Sequence, residues 1–97
     1  MFNLTFDTSR LGNLCASFDV RRLRVFGSVA RGEARVESDI DILVDFSTKK
    51  GLLDLISLER SLADIFHRQV DLLTESAISP HLRDRILAEA VSIYEAR

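Results

Sequence analysis

The segment from Asp39 to Phe46, DIDILVDF, constrains the fold more than any other stretch of this chain. Ile40, Ile42, Val44 and Phe46 share one parity, while Asp39, Asp41 and Asp45 share the other. Successive side chains of an extended chain point to opposite faces, so the alternation predicts a strand with one buried face and an acidic opposite face. Leu23 to Gly27, LRVFG, reads as a second strand ending abruptly in Gly-Ser, and QVDLL, around Asp71, as a short third. Helical spacing fills the intervals. A short helix starts at Asp7 or Thr8 and places Leu11, Leu14, Cys15 and Phe18 on one face. Leu52 to Phe66 carries Leu52, Leu55, Ile56, Leu62, Ala63 and Phe66 at helical intervals. Ser79-Pro80 supplies an N-cap and first helical position for a last helix, with Leu82, Ile86, Ala90, Val91 and Tyr94 on one face. The expected order is α-β-(α)-β-α-β-α. This is an α/β (α+β) fold in which helices flank a small mixed three-stranded sheet, forming one domain over residues 1–97.

A chain of 97 residues suits one domain with one core. With 46% apolar and 29% charged residues, it is neither disordered nor fibrous in composition. The formal net charge of -2 argues against direct binding to duplex nucleic acid or an anionic membrane, both of which reward a positive excess. Arginines do gather locally, at Arg21, Arg22, Arg24, Arg31 and Arg35, as either a solvated face around a turn or an anion site. Cys15 is the single cysteine, so neither an intrachain disulfide nor a thiolate metal cluster is expected, and it should pack as a small apolar residue. The opening MFNLTFDTSR has no long apolar run and meets a charge at Asp7. That argues against a signal peptide or membrane span, and the expected setting is the reducing cytoplasm.

Asp39 and Asp41 lie two apart in a predicted strand, so their carboxylates project close together and repel. Taken alone, the pair suits an acidic, solvent-facing strand edge. A hard divalent cation reverses the cost, and magnesium prefers one or two carboxylates together with phosphate oxygens. Gly27-Ser28, just after a strand, marks a turn whose N–H groups and hydroxyl can receive phosphate oxygens, although a plain tight turn would look the same. Neither a GxxxxGK[ST] loop nor a dinucleotide-binding glycine fingerprint occurs. The joint pattern is the specific one. Gly27-Ser28 is followed by ten residues and then Asp39-x-Asp41, with Arg31-Gly32 inside the turn and Ser38 just before the acids.

Residue for residue, GSVARGEARVESDIDILV resembles the signature of the polymerase-β-like nucleotidyltransferases, and most closely the minimal nucleotidyltransferase (MNT) family of short prokaryotic proteins. The helix before VDLL and the closing RILAEAVSIYE are similar to that family as well. The resemblance implies that Ser28 and the Gly27 backbone hold the β- and γ-phosphates of ATP. It implies that Asp39 and Asp41 ligate magnesium between the α-phosphate and the leaving pyrophosphate. Asp71 matches the family's third carboxylate, completing a second magnesium site and helping to deprotonate an incoming hydroxyl. Arg31 would neutralise phosphate charge, and Ser38 belongs to the expected nucleotide-binding set. Asp45 reads as a solvated rim residue, His67 and His81 as structural, and Tyr94 as core or partner-facing. Where family members often carry glycine before the third strand, this chain has Phe66-His67-Arg68, a departure that bears on the turn and leaves the acids untouched.

Proteins of this kind often serve as antitoxins to a HEPN-domain ribonuclease encoded alongside, transferring AMP from ATP to a toxin tyrosine. No RxxxxH-x-Y pattern of the HEPN kind occurs here, so such a partner must come in trans. The alternative is a non-catalytic binding module that neutralises its partner by complex formation. Retention of Ser28, Asp39, Asp41 and Asp71 speaks against a dead enzyme, because without chemistry the acids leave only repulsion.

Overall fold

The alternating apolar residues of DIDILVDF demand a covered strand, and β2 (Ile40–Phe46) lies inside the sheet with Ile40, Ile42 and Val44 at 1% exposure or less. The computed structural model describes residues 4–33 and 38–96. Among these, four strands form one mixed sheet in the order β3 (Val70–Thr74), β2, β1 (Val20–Phe26), β4 (Val91–Glu95). β1 runs antiparallel to β2, and β3 runs parallel to β2 on its other side. Parallel neighbours need a crossover, which α2 (Leu52–Phe66) provides.

One face of the sheet is covered by α1 (Thr8–Ser17) and α2. The Asp7 carboxylate caps α1 by accepting from the Ser9 and Arg10 N–H groups at 2.9 and 3.1 Å. Leu11 and Cys15 of α1 and Leu58, Leu62, Ile65 and Phe66 of α2 join the β2 residues in the main core. Cys15 is fully buried, and desolvation pushes its thiol up to about 12, so it packs as the expected small apolar residue. No helix of the described residues is long and apolar enough to cross a membrane.

The bounds of α2 match the expectation, but its buried stripe does not. Leu52, Leu53 and Ile56 are exposed, because the first turn stands clear of the core, and Leu58 and Ile65 do the packing instead. The opposite face of the sheet is also covered. Leu43 interrupts the acidic parity of β2 and is fully buried with Phe26 and Ile78, under Ile86, Leu87 and Ala90.

The largest correction lies at the end of the chain. The last helix, α3, spans only Pro80–Glu89, with Ser79 and Pro80 in their expected positions, although the Ser79 side chain makes no capping bond. Ala90 then turns extended, and Val91–Glu95 forms β4, antiparallel to β1. The sheet therefore has four strands, one more than expected. Val91, Ile93 and Tyr94 are β-formers, and the open edge of β1 offers backbone partners that a longer helix would leave unmet. Ile93 and Tyr94 pack against the main core, which selects the core reading of Tyr94.

His67 ends α2 in the left-handed region, at φ 55°. The departure from glycine thus keeps the turn and pays in strain, since a side chain in this conformation costs roughly 1–2 kcal/mol. His67→Gly is expected to stabilise the protein by about 1 kcal/mol, raising its melting temperature by about 4–8 °C in a thermal unfolding scan.

Candidate active site

The site begins where β1 stops. Gly27 has φ +75°, and a Cβ built there would run into Oδ2 of Asp41. The first condition favours glycine, and the second means that any side chain there would displace the Asp41 carboxylate. The following residues close a hydrogen-bonded turn and, among the described residues, form no helix where the expected order allowed one: the Arg31 N–H donates to the Gly27 carbonyl at 3.1 Å and the Glu33 N–H to the Ser28 carbonyl at 2.9 Å. Gly32, at φ 73°, ends the turn. Ser28 is thereby held at its start, half-buried and next in sequence to the glycine that abuts Asp41. Arg35 of the arginine cluster lies outside the described residues.

Strand register assembles the acids. Asp41 faces Phe26 across β1 and Asp71 across β3, so two carboxylates occupy adjacent positions in one row. Asp39 precedes β2 by one residue, and its neighbour Ile40 donates its N–H to the Gln69 carbonyl at 2.9 Å. Arg68 grips the Ser38 carbonyl through Nε at 3.0 Å and Nη2 at 2.6 Å, fixing the chain as it enters the acid pair. Ser38 thus contributes a backbone anchor to the site.

Asp41 is half-buried, whereas Asp39 and Asp71 are exposed. Desolvation raises the pKa of Asp41 above the ordinary carboxylate value; Asp71, Asp39 and Glu89 raise it further, and Arg31 opposes them. Among the described residues this is a predominantly negative site built from oxygen donors, the ligand chemistry of a hard divalent cation. Among the described residues no three acid, histidine or cysteine side chains close into a preformed metal cage. An open arrangement of this kind fits magnesium, which takes few protein carboxylates and fills its shell with phosphate oxygens and water. The residues present therefore fit the ion.

Two findings lie outside the sequence reading. Glu89, the last residue of α3, accepts from the Gly27 N–H at 3.2 Å through Oε1 and from Arg31 Nη1 at 2.9 Å through Oε2. It lies 62 residues from Gly27, and no spacing rule connects them. Asp45 is no solvated rim residue. Its side chain is 11% exposed, and its Oδ2 pairs with Arg22 Nε and Arg24 Nη2, each at 3.2 Å. Arg24 also approaches Glu75 at 3.9 Å, and Arg83 binds Glu75 at 2.6 Å. Among the described residues the arginines accordingly do not form a single anion site: Arg22 and Arg24 neutralise Asp45, whereas Arg31 joins the Asp39/Asp41/Asp71 group. His81 is exposed on α3, and His67 serves the turn.

A family model described as "Polymerase beta, Nucleotidyltransferase" matches residues 10–97. A Methanocaldococcus jannaschii protein with a provisional protein adenylyltransferase name is 50% identical over 74 residues, which is 76% of this chain and 80% of its own. Protein adenylyltransferase MntA of Thermococcus cleftensis is 40% identical over 86 residues, covering 89% of this chain and 87% of its own. A solved structure provisionally described as a minimal nucleotidyltransferase aligns with a TM-score of 0.74 at 43% identity, over 87% of this chain and 86% of its own. The fold also recurs, at 19% identity and a TM-score of 0.65, in a complex of tri-AMPylated Shewanella oneidensis HEPN toxin with its MNT antitoxin, over 92% of this chain and 70% of that one.

Two variants test the geometry. Gly27→Ala should destabilise the fold by about 1–3 kcal/mol in denaturant unfolding, from the left-handed conformation and the collision with Asp41. Asp41→Asn should raise the melting temperature of the metal-free protein near neutral pH. Because the folded-state pKa of Asp41 is raised, stability falls as pH climbs from the ordinary carboxylate range through that raised value. The advantage of the variant should therefore vanish as pH drops below the ordinary carboxylate range.

Proposed function

The chain belongs to the polymerase-β nucleotidyltransferase family, and on that footing we propose that it is a magnesium-dependent protein adenylyltransferase acting as an antitoxin. In this reading it transfers AMP from ATP to a tyrosine hydroxyl of a HEPN-type ribonuclease supplied in trans. The observation that carries the proposal is the placement of Asp39, Asp41 and Asp71 beside the Gly27-Ser28 turn. The identity to named protein adenylyltransferases, and the fold shared with an MNT antitoxin bound to an AMPylated HEPN toxin, support the acceptor class.

The residues divide the work by position. Ser28, at the start of the turn, receives the β- and γ-phosphates with its hydroxyl and the neighbouring amides. Arg31 offsets their charge through guanidinium donors. Asp39 and Asp41 present the oxygen ligands, and Ser38 holds the chain in register ahead of them. Magnesium, when bound, stabilises charge on the α-phosphate and on the departing pyrophosphate. Asp71 is exposed on β3 next to Asp41, where a hydroxyl from another chain can reach it. It takes the proton as the acceptor oxygen bonds to the α-phosphorus and the bond to the bridging oxygen of pyrophosphate breaks. A buried, reduced Cys15 and dependence on ATP both suit the cytoplasm.

Incubating the protein and a HEPN-domain partner with α-labelled ATP should label the partner in magnesium and leave it unlabelled in EDTA. Asp39→Asn should lower labelling on the order of 100-fold. A partner that stays inhibited by the unlabelling Asp39→Asn protein would show that complex formation, and not AMP transfer, restrains it.

A further inference from the structure

Glu89 is a fourth carboxylate at a site already crowded with three, and it reaches there from the far end of α3. Such a placement adds repulsion against Asp41 and is stable only through the donors it meets. Those donors bracket the phosphate-binding turn. Oε1 accepts from the Gly27 N–H at 3.2 Å, where the turn begins, and Oε2 accepts from Arg31 Nη1 at 2.9 Å, where its first hydrogen bond closes. The Glu89 side chain is 19% exposed and the Arg31 side chain 38%, so the pair sits at the surface with its carboxylate end partly covered, and the Gly27 N–H bond, part-buried, is the more sheltered of the two. Arg31 also donates from Nε to Glu33 at 2.6 Å, but that side chain is 61% exposed and two residues away in the same turn, so Glu89 is the contact that ties Arg31 to a distant element.

We infer that Glu89 is a positioning residue for nucleotide binding: its carboxylate clamps Gly27 and Arg31 together, so that the end of α3 sets where the turn receives phosphate. The inference rests on the nucleotidyltransferase reading above. It gives the Gly27 N–H to the protein scaffold and assigns phosphate contacts to Ser28 and the later amides. It also orients Arg31 with two of its nitrogens engaged and its remaining donors directed to the ligand. The opposite role, in which Glu89 is an anion stand-in that the triphosphate must displace, makes the reverse prediction for affinity.

The test is calorimetric titration of magnesium–ATP into the full chain, as the native protein, E89Q, E89A, R31A and E89A/R31A, with thermal melts beside each. E89A is expected to bind about tenfold more weakly, as loss of a charge-assisted hydrogen bond predicts. E89Q should fall between, because its amide oxygen still accepts from the Gly27 N–H while the ion pair with Arg31 is gone. In the R31A background E89A should cost much less than tenfold, since the two residues act as a unit. Undiminished or tighter binding by folded E89A and E89Q, or full additivity with R31A, overturns the clamp. A native protein that binds no magnesium–ATP overturns the nucleotide site itself, a result distinct from native binding with an indifferent E89A.

Discussion

The site depends on a single register. Pairing of β2 with its two neighbours puts Phe26, Asp41 and Asp71 in one row, and a slip of one residue would turn Asp41 into the core and Ile40 and Ile42 out of it. The carboxylates do nothing to hold that register, because they repel. Burial holds it. Ile40, Ile42 and Val44 are each at 1% exposure or less, and full burial of such a side chain contributes about 1.5–3 kcal/mol. Three of them together outweigh the electrostatic cost of acids left unpaired at one end of the same strand.

Two aspartates of β2 on the same face meet opposite fates. Asp45 lies against Arg22 and Arg24 and is neutralised within the sheet. Asp41, four residues earlier, sits among Asp39, Asp71 and Glu89, with Arg31 the opposing charge among the described residues. The first arrangement is complete without a ligand; the second gains from a cation. That difference, more than the count of acids, separates a structural carboxylate from one held ready for chemistry.

Much of this was legible in the sequence, wherever a single element carried its own signal. The alternation of DIDILVDF, the bounds of α2, the start of α1 at Asp7 or Thr8, the Gly27-Ser28 turn and the grouping of Asp39, Asp41 and Asp71 all follow from local pattern or from the spacing of the family signature. The failures are tertiary. Helical spacing ran on through Val91 and Tyr94 because those positions fit an amphipathic face, while the open edge of β1 decided for a strand. Asp45 shares the parity of Asp39 and Asp41, and only the antiparallel partner strand shows that arginines wait opposite it. Glu89 has no signal because its partners come from a turn near the other end of the chain, and a single glutamate at a helix terminus is ordinary.

The outer edge of β3 has a consequence for how copies of the chain can associate. The Leu72 N–H, at the centre of that edge strand, donates to Oε2 of Glu59 on α2 at 3.0 Å, so a backbone donor that an incoming strand would need is already spoken for. A strand arriving at this edge would have to break that bond or leave its own acceptor unmatched, so the crossover helix that joins β2 to β3 also discourages lateral growth of the sheet on that side.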